Sequence, residues 1–111
     1  MLEGYALYVD YEFCSGCKSC ELACKNEHGF GREEWGIRVL EDKPWKKADG
    51  HWNWNYLPVP SDLCDLCAER FEKGQEPSCV QQCQAKVIEF GTYGEVAEKM
   101  AAKRKSLIFR P

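Results

Sequence analysis

Apolar and polar positions alternate along this chain in short blocks. Tyr5–Val9 is an aromatic and β-branched run that stops at Asp10, which predicts a strand. From Cys20 to His28 the pattern suits a helix, and Gly29 is placed to cap it. Residues 37–41 and 52–59 predict two further strands, the later one setting Trp52, Trp54 and Tyr56 against Asn53 and Asn55. The polar stretch between them, with Lys43, Pro44, Lys46, Lys47, Asp49 and Gly50, reads as a hairpin loop. Val87–Phe90 predicts another strand. Thr92 and Glu95 then have capping-box spacing ahead of a helix with Val96, Ala97, Met100 and Ala101 on one face. Leu107–Phe109 is placed to close a small sheet.

Together these elements describe an α+β fold in a single domain over residues 1–111. Strand, cysteine loop and short helix occur twice, starting near Tyr5 and again near Tyr56, which gives a pseudo-two-fold repeat with an inserted β-hairpin and a C-terminal helix.

A chain of 111 residues buries only a modest core, so cross-links are expected, and it carries eight cysteines. Residues 1–13 include Glu3 and Asp10, with no basic stretch and no apolar run of signal-peptide length. An oxidising destination is therefore not indicated, and closely spaced thiols read as metal ligands rather than disulfides. Cytoplasm is the default location, with folded periplasmic co-export beside a signal-bearing partner as the alternative. No apolar stretch approaches the roughly 20 residues of a membrane span. The formal net charge of −3 counts every cysteine as neutral. If all eight are ionised as metal ligands, offset by about four positive charges on the bound metal, it becomes about −7, which argues against nucleic acid.

The cysteines fall into two groups: Cys14, Cys17, Cys20 and Cys24 (C-x2-C-x2-C-x3-C), then Cys64, Cys67, Cys79 and Cys83 (C-x2-C-x11-C-x3-C). A 4Fe-4S cube needs four thiolates, of which a C-x2-C-x2-C loop can supply three. Cys20 and Cys24, four apart on a helix, share one face about 6 Å apart along the axis, and the same reading applies to Cys79 and Cys83. If both helices run between two clusters, each gives one cysteine to each. The expected sets are then Cys14, Cys17, Cys20 and Cys83 for one cluster, and Cys64, Cys67, Cys79 and Cys24 for the other, as in two-cluster bacterial ferredoxins. Zinc is the alternative for paired C-x2-C groups, although it does not require the third cysteine at x2 or the fourth at x3.

The run Phe13-Cys14-Ser15-Gly16-Cys17-Lys18-Ser19-Cys20-Glu21-Leu22-Ala23-Cys24-Lys25 resembles the first motif of the iron-sulfur subunits of dimethyl sulfoxide reductase-type molybdopterin oxidoreductases. Cys64-Asp65-Leu66-Cys67 with Cys79-Val80-Gln81-Gln82-Cys83 is similar to another motif of that family. The resemblance implies a ferredoxin-like two-cluster fold. It also implies an electron relay to or from a larger catalytic subunit with molybdenum or tungsten on a pterin, and leaves room for a further donor or acceptor protein. Family members commonly hold twice as many clusters, so the chain looks like half of such a subunit. Lys25 and Gln84 stand where two-cluster ferredoxins often place proline. A free-standing soluble ferredoxin and a zinc-bearing interaction module are the competing functions.

Trp35, Trp45, Trp52 and Trp54 all lie between the cysteine groups, where they suit either a protein interface or the shielding of a cluster. His28 and His51 are assigned no role, because eight cysteines already satisfy two cubes. Lys103, Arg104 and Lys105 read as the solvated end of a helix, and Gly16 as a hinge of the first loop. No glycine-rich phosphate loop is present, and the only plausible nucleophiles are the cysteines, so no catalysis by the chain alone is expected.

Overall fold

The structure is a computed structural model that describes residues 3–110. In chain order it contains β1 (Tyr5–Asp10), α1 (Ser19–His28), β2 (Ile37–Lys46), β3 (Trp52–Pro60), α2 (Ala68–Glu72), α3 (Ser78–Gln82), β4 (Ile88–Thr92), α4 (Tyr93–Ala101) and β5 (Ser106–Phe109). The strands make two sheets: an antiparallel sheet in the order β4-β1-β5, and the β2-β3 pair.

β1 sits at the centre of the three-stranded sheet, paired on both edges and covered on both faces. This explains why Tyr5–Val9 carries no polar alternation, since a strand buried on two faces reads as a continuous apolar run. Leu7 and Val9 point into a core shared with Cys20, Cys24, Cys79 and Cys83, while Ala6 and Tyr8 face Val96 of α4 on the other side. The domain is thus layered, with the cysteine loops and α1 and α3 on one face of the sheet and α4 on the other. The Tyr8 hydroxyl is buried and has no hydrogen-bond partner among the described residues.

α1 and α3 pack together, and Ser78 Oγ donates to the Ala23 carbonyl at 3.1 Å across their interface. α2, which the sequence pattern does not predict, is tied in by Arg70. Its guanidinium reaches Glu27 of α1 at 3.0 Å, Gln81 of α3 at 2.6 Å and the Glu76 carbonyl at 2.8 Å. α4 starts as expected, with the reciprocal Thr92–Glu95 capping box in place. Its apolar face is buried only at Val96 and partly at Ala97, whereas Met100 and Ala101 are exposed.

Three expectations need correction. β2 continues to Lys46, so Lys43, Pro44 and Lys46 lie in the strand, and only the segment around Lys47–Gly50 turns. A register shift between Asp42 and Trp45 accommodates Pro44, which has no amide to give to the ladder. Cys83 is not helical: α3 ends at Gln82 and Cys83 adopts extended backbone (φ −67, ψ 116). Lys103 and Lys105 lie beyond the last turn of α4, over the rings of Phe13 and Tyr11.

At its root the β2-β3 hairpin packs Ile37, Val39 and Pro58 into the body. Toward its tip Trp45, Trp52 and Trp54 are exposed. Trp35 is different: it is half-buried, with Lys25 and Arg38 each 4.2 Å from its ring centre.

Candidate metal centre

The cysteine loops concentrate the strained backbone of the molecule. Lys18, Leu66, Cys67 and Lys86 are the described non-glycine residues with positive φ, and each lies within three residues of a cysteine. A left-handed non-glycine residue costs about 1–3 kcal/mol and persists where the surroundings hold it. Lys18 immediately precedes α1 and Cys67 immediately precedes α2, so in each case the kink swings the loop back over the helix that follows. Gly16 (φ +76) gives the first loop the same freedom, and its Cα lies so close to the Tyr56 ring that a Cβ would sit 2.7 Å from it.

These turns gather the eight thiols into two cavities. The first is lined by Cys14, Cys17, Cys20 and Cys83, closed by Val39, Pro58, Val87 and Ile88. The second is lined by Cys24, Cys64, Cys67 and Cys79, closed by Leu7, His28, Ile37 and Leu66. One helical turn of α1 therefore separates a thiol of the first cavity, on Cys20, from a thiol of the second, on Cys24. Cys79 and Cys83 divide in the same way without a shared helix, because the chain leaves α3 in an extended conformation and carries Cys83 over to the first cavity. The cysteines are all free thiols.

Backbone amides of Gly16, Glu21, Gly36, Leu66 and Ser78 donate toward the sulfurs of Cys14, Cys20, Cys24, Cys64 and Cys67. The Val87 amide lies 3.5 Å from Cys83 Sγ. Burial nevertheless dominates the acidity of most of the thiols. It pushes Cys20 up to about 12 and Cys24 up to about 11, with neighbouring thiols adding to the effect. Burial also raises Cys79 well above the ordinary thiol value, and it raises Cys14, Cys64 and Cys67. Cys17 goes the other way: it is exposed, and the Ser19 hydroxyl lowers its pKa. Such buried thiols stay protonated at neutral pH unless a cation offsets the burial of their charge, and metal ligation does this.

The donor set fits an iron-sulfur cube in each cavity: four thiols, amide donors around the sulfurs and an apolar lining. Gly36 keeps the second cavity open, since a Cβ there would lie 2.3 Å from Cys24 Sγ.

Sequence reasoning missed two residues. Gly36 has no local signature, because its role depends on how close β2 comes to α1. His28 did carry a signal: four residues after Cys24 on the same helix, it shares the face that turns to the second cavity. Its Nε2 lies 3.3 Å from Cys67 Sγ and 3.9 Å from Asp65 Oδ1. His51 stays on the exposed turn beside Asp49.

No family model matches the chain. It is 36% identical to the B subunit of the anaerobic dimethyl sulfoxide reductase of Haemophilus influenzae over 86 residues, covering 74% of this chain and 38% of that protein. The nitrate-inducible formate dehydrogenase iron-sulfur subunit of Escherichia coli is 46% identical over 46 residues, 39% of this chain and 16% of that subunit. The B subunit of the polysulfide reductase of Wolinella succinogenes aligns along the whole chain and 86% of its own length at 20% identity. The chain spans 38% of the length of the dimethyl sulfoxide reductase subunits it matches. Its relatives are thus B subunits and iron-sulfur subunits of oxidoreductases.

Proposed function

We propose that this chain is a ferredoxin-like electron-transfer subunit that holds two 4Fe-4S clusters. In this reading it relays electrons to or from a larger molybdenum or tungsten pterin subunit and performs no catalysis itself. The observation that carries the reading is the sorting of eight thiols into two cavities of four, each combining cysteines from both groups. Cys14, Cys17, Cys20 and Cys83 would hold one cluster, and Cys64, Cys67, Cys79 and Cys24 the other. When bound, the clusters supply reversible one-electron chemistry.

The chain's own residues set the terms of that exchange. Loop amides donate to the ligand sulfurs, and α1 links the two cavities through Cys20 and Cys24. Leu7, Val39, Ile37 and Ile88 keep water away from both. The exposed Cys17 leaves the first cavity with an open edge, where electrons can enter or leave. Trp45, Trp52 and Trp54 on the free part of the hairpin are the proposed partner contact, since exposed aromatic rings of this density suit a permanent interface.

Iron and acid-labile sulfide analysis with EPR of the reduced protein tests the reading, and zinc alone would sink it. Zinc is the second reading because His28, Asp65 and Cys67 place a nitrogen, an oxygen and a sulfur within 4.8 Å of one another, a mixed set that zinc accepts. Cys83→Ser tests the crossed ligation: it should disturb the cluster of the first loop, and an unchanged first-loop signal would reject the assignment. Copurification from the native source separates a subunit from a free ferredoxin, which would run as a lone monomer.

A further inference from the structure

We infer that His28 is a positioning residue of the second cavity, whose Nε2–H donates to Cys67 Sγ and raises the reduction potential of the cluster held there. The inference rests on the two-cluster reading and adds an inequality between its two sites.

Geometry places the ring. His28 ends α1 four residues after Cys24, and Gly29 in left-handed backbone turns the chain there. The ring is largely buried, with side-chain exposure of 22%, and stacks on Phe30 at 5.3 Å and 21°. Nε2 then faces Cys67 Sγ at 3.3 Å. A metal-bound thiolate has no hydrogen to donate, so the contact is favourable only when the imidazole nitrogen carries the hydrogen. Asp65 stands 3.9 Å from the same nitrogen and accepts the Cys67 amide at 2.9 Å. Its carboxylate opposes added negative charge at the sulfur, whereas the imidazole donor favours it.

The other half of the chain provides the contrast. Cys24 is followed four residues later by His28, and Cys83 four residues later by Val87. Val87 is buried and lines the first cavity as His28 lines the second, but its side chain has no donor. The corresponding positions thus give one site a side-chain hydrogen bond and the other an apolar wall. Reduction adds negative charge to the cluster and its sulfurs, so a donor on one sulfur stabilises the reduced form and raises that potential.

His28→Phe keeps the stacked ring and removes the donor, while His28→Gln restores a donor without the imidazole. Both variants are compared with the wild-type chain by iron and sulfide content and by EPR-monitored redox titration. In the Phe variant one of the two midpoint potentials should fall while the other stays, and the Gln variant should recover part of the shift. Selective loss of one cluster in the Phe variant, rescued in the Gln variant, supports the same contact. Two unmoved potentials in a fully loaded Phe variant would overturn the inference, and so would equal loss of a cluster in both variants. A wild-type chain without iron would instead remove the relay reading itself.

Discussion

The two thiol cavities draw on similar cysteine spacings and share an apolar lining, yet differ in exposure and in the side chains beside their sulfurs. The first has an open edge: Cys17 is exposed, its pKa is lowered by Ser19, and Lys18 beside it is exposed too. The second is enclosed by Cys79, whose pKa burial raises far, and by a histidine in contact with the Cys67 sulfur. Ligand spacing therefore determines which metal chemistry is available, while the neighbours of each sulfur determine how the two sites behave. In the proposed relay, the open site is the one through which electrons would exchange with a partner.

The sharpest way to break this comparison is to close one cavity and leave the other. In Gly36→Ala the new methyl would meet Cys24 Sγ at 2.3 Å and the Phe30 ring at 3.0 Å, both fixed by the core. Iron per chain should fall to about half, with the first-loop signal retained. Gly16→Ala acts on the other cavity and should do less. Its methyl would meet the half-buried Tyr56 ring at 2.7 Å rather than a cysteine sulfur, and the left-handed alanine costs about 1–2 kcal/mol. Full iron in Gly36→Ala would show that the approach of β2 to α1 does not shape the second site.

The metal-free protein reads out the same difference through its thiols. A thiol raised from 9 to about 12 carries about a thousandth of the thiolate at pH 8, and thiolate is the form that alkylates. Cys17 should therefore label first with iodoacetamide, at least about a hundredfold faster than Cys20, as peptide mass spectrometry would resolve. The same shifts imply a pH limit. Folded pKa values above the unfolded value stabilise the fold below pH 9, and that contribution is lost as pH rises toward about 11 for Cys24 and about 12 for Cys20. Urea unfolding of the metal-free chain should lose on the order of 1 kcal/mol per strongly raised thiol between about pH 8 and about pH 10. Stability that rises over that interval would contradict the burial of these sulfurs.

Local patterns made much of this architecture legible. The Tyr5–Val9 run, the Thr92–Glu95 cap and the strand-loop-helix order depend on residues near one another in sequence, and the structure has them. The C-x2-C and C-x3-C spacings likewise bring the thiols close together, in two cavities of four. What escaped depended on distant contacts. Cys83 leaves its helix, yet it lines the same cavity with Cys20 that a helical reading assigned it to. Pro44 does not end its strand, because a register shift absorbs it. Gly36 and His28 gain their roles only when β2 and the Cys64–Cys67 loop fold against α1.

A last substitution separates global loosening from local closure. Thr92 caps α4 on the face of the sheet away from both cavities, with the Glu95 amide donating to Thr92 Oγ1 at 3.3 Å and the Thr92 amide to Glu95 Oε1 at 2.9 Å. Thr92→Ala removes the side-chain half of that exchange and should cost about 1 kcal/mol of stability. α4 contributes Val96 to the core behind β1 but no sulfur ligand, so both cavities should keep their iron and their order of thiol reactivity. If this variant lost iron as Gly36→Ala does, general destabilisation would empty the sites, and the cavity-specific account of Gly36 would fail. If stability falls while iron content holds, the two cavities are governed by the residues that touch them rather than by the stability of the whole domain.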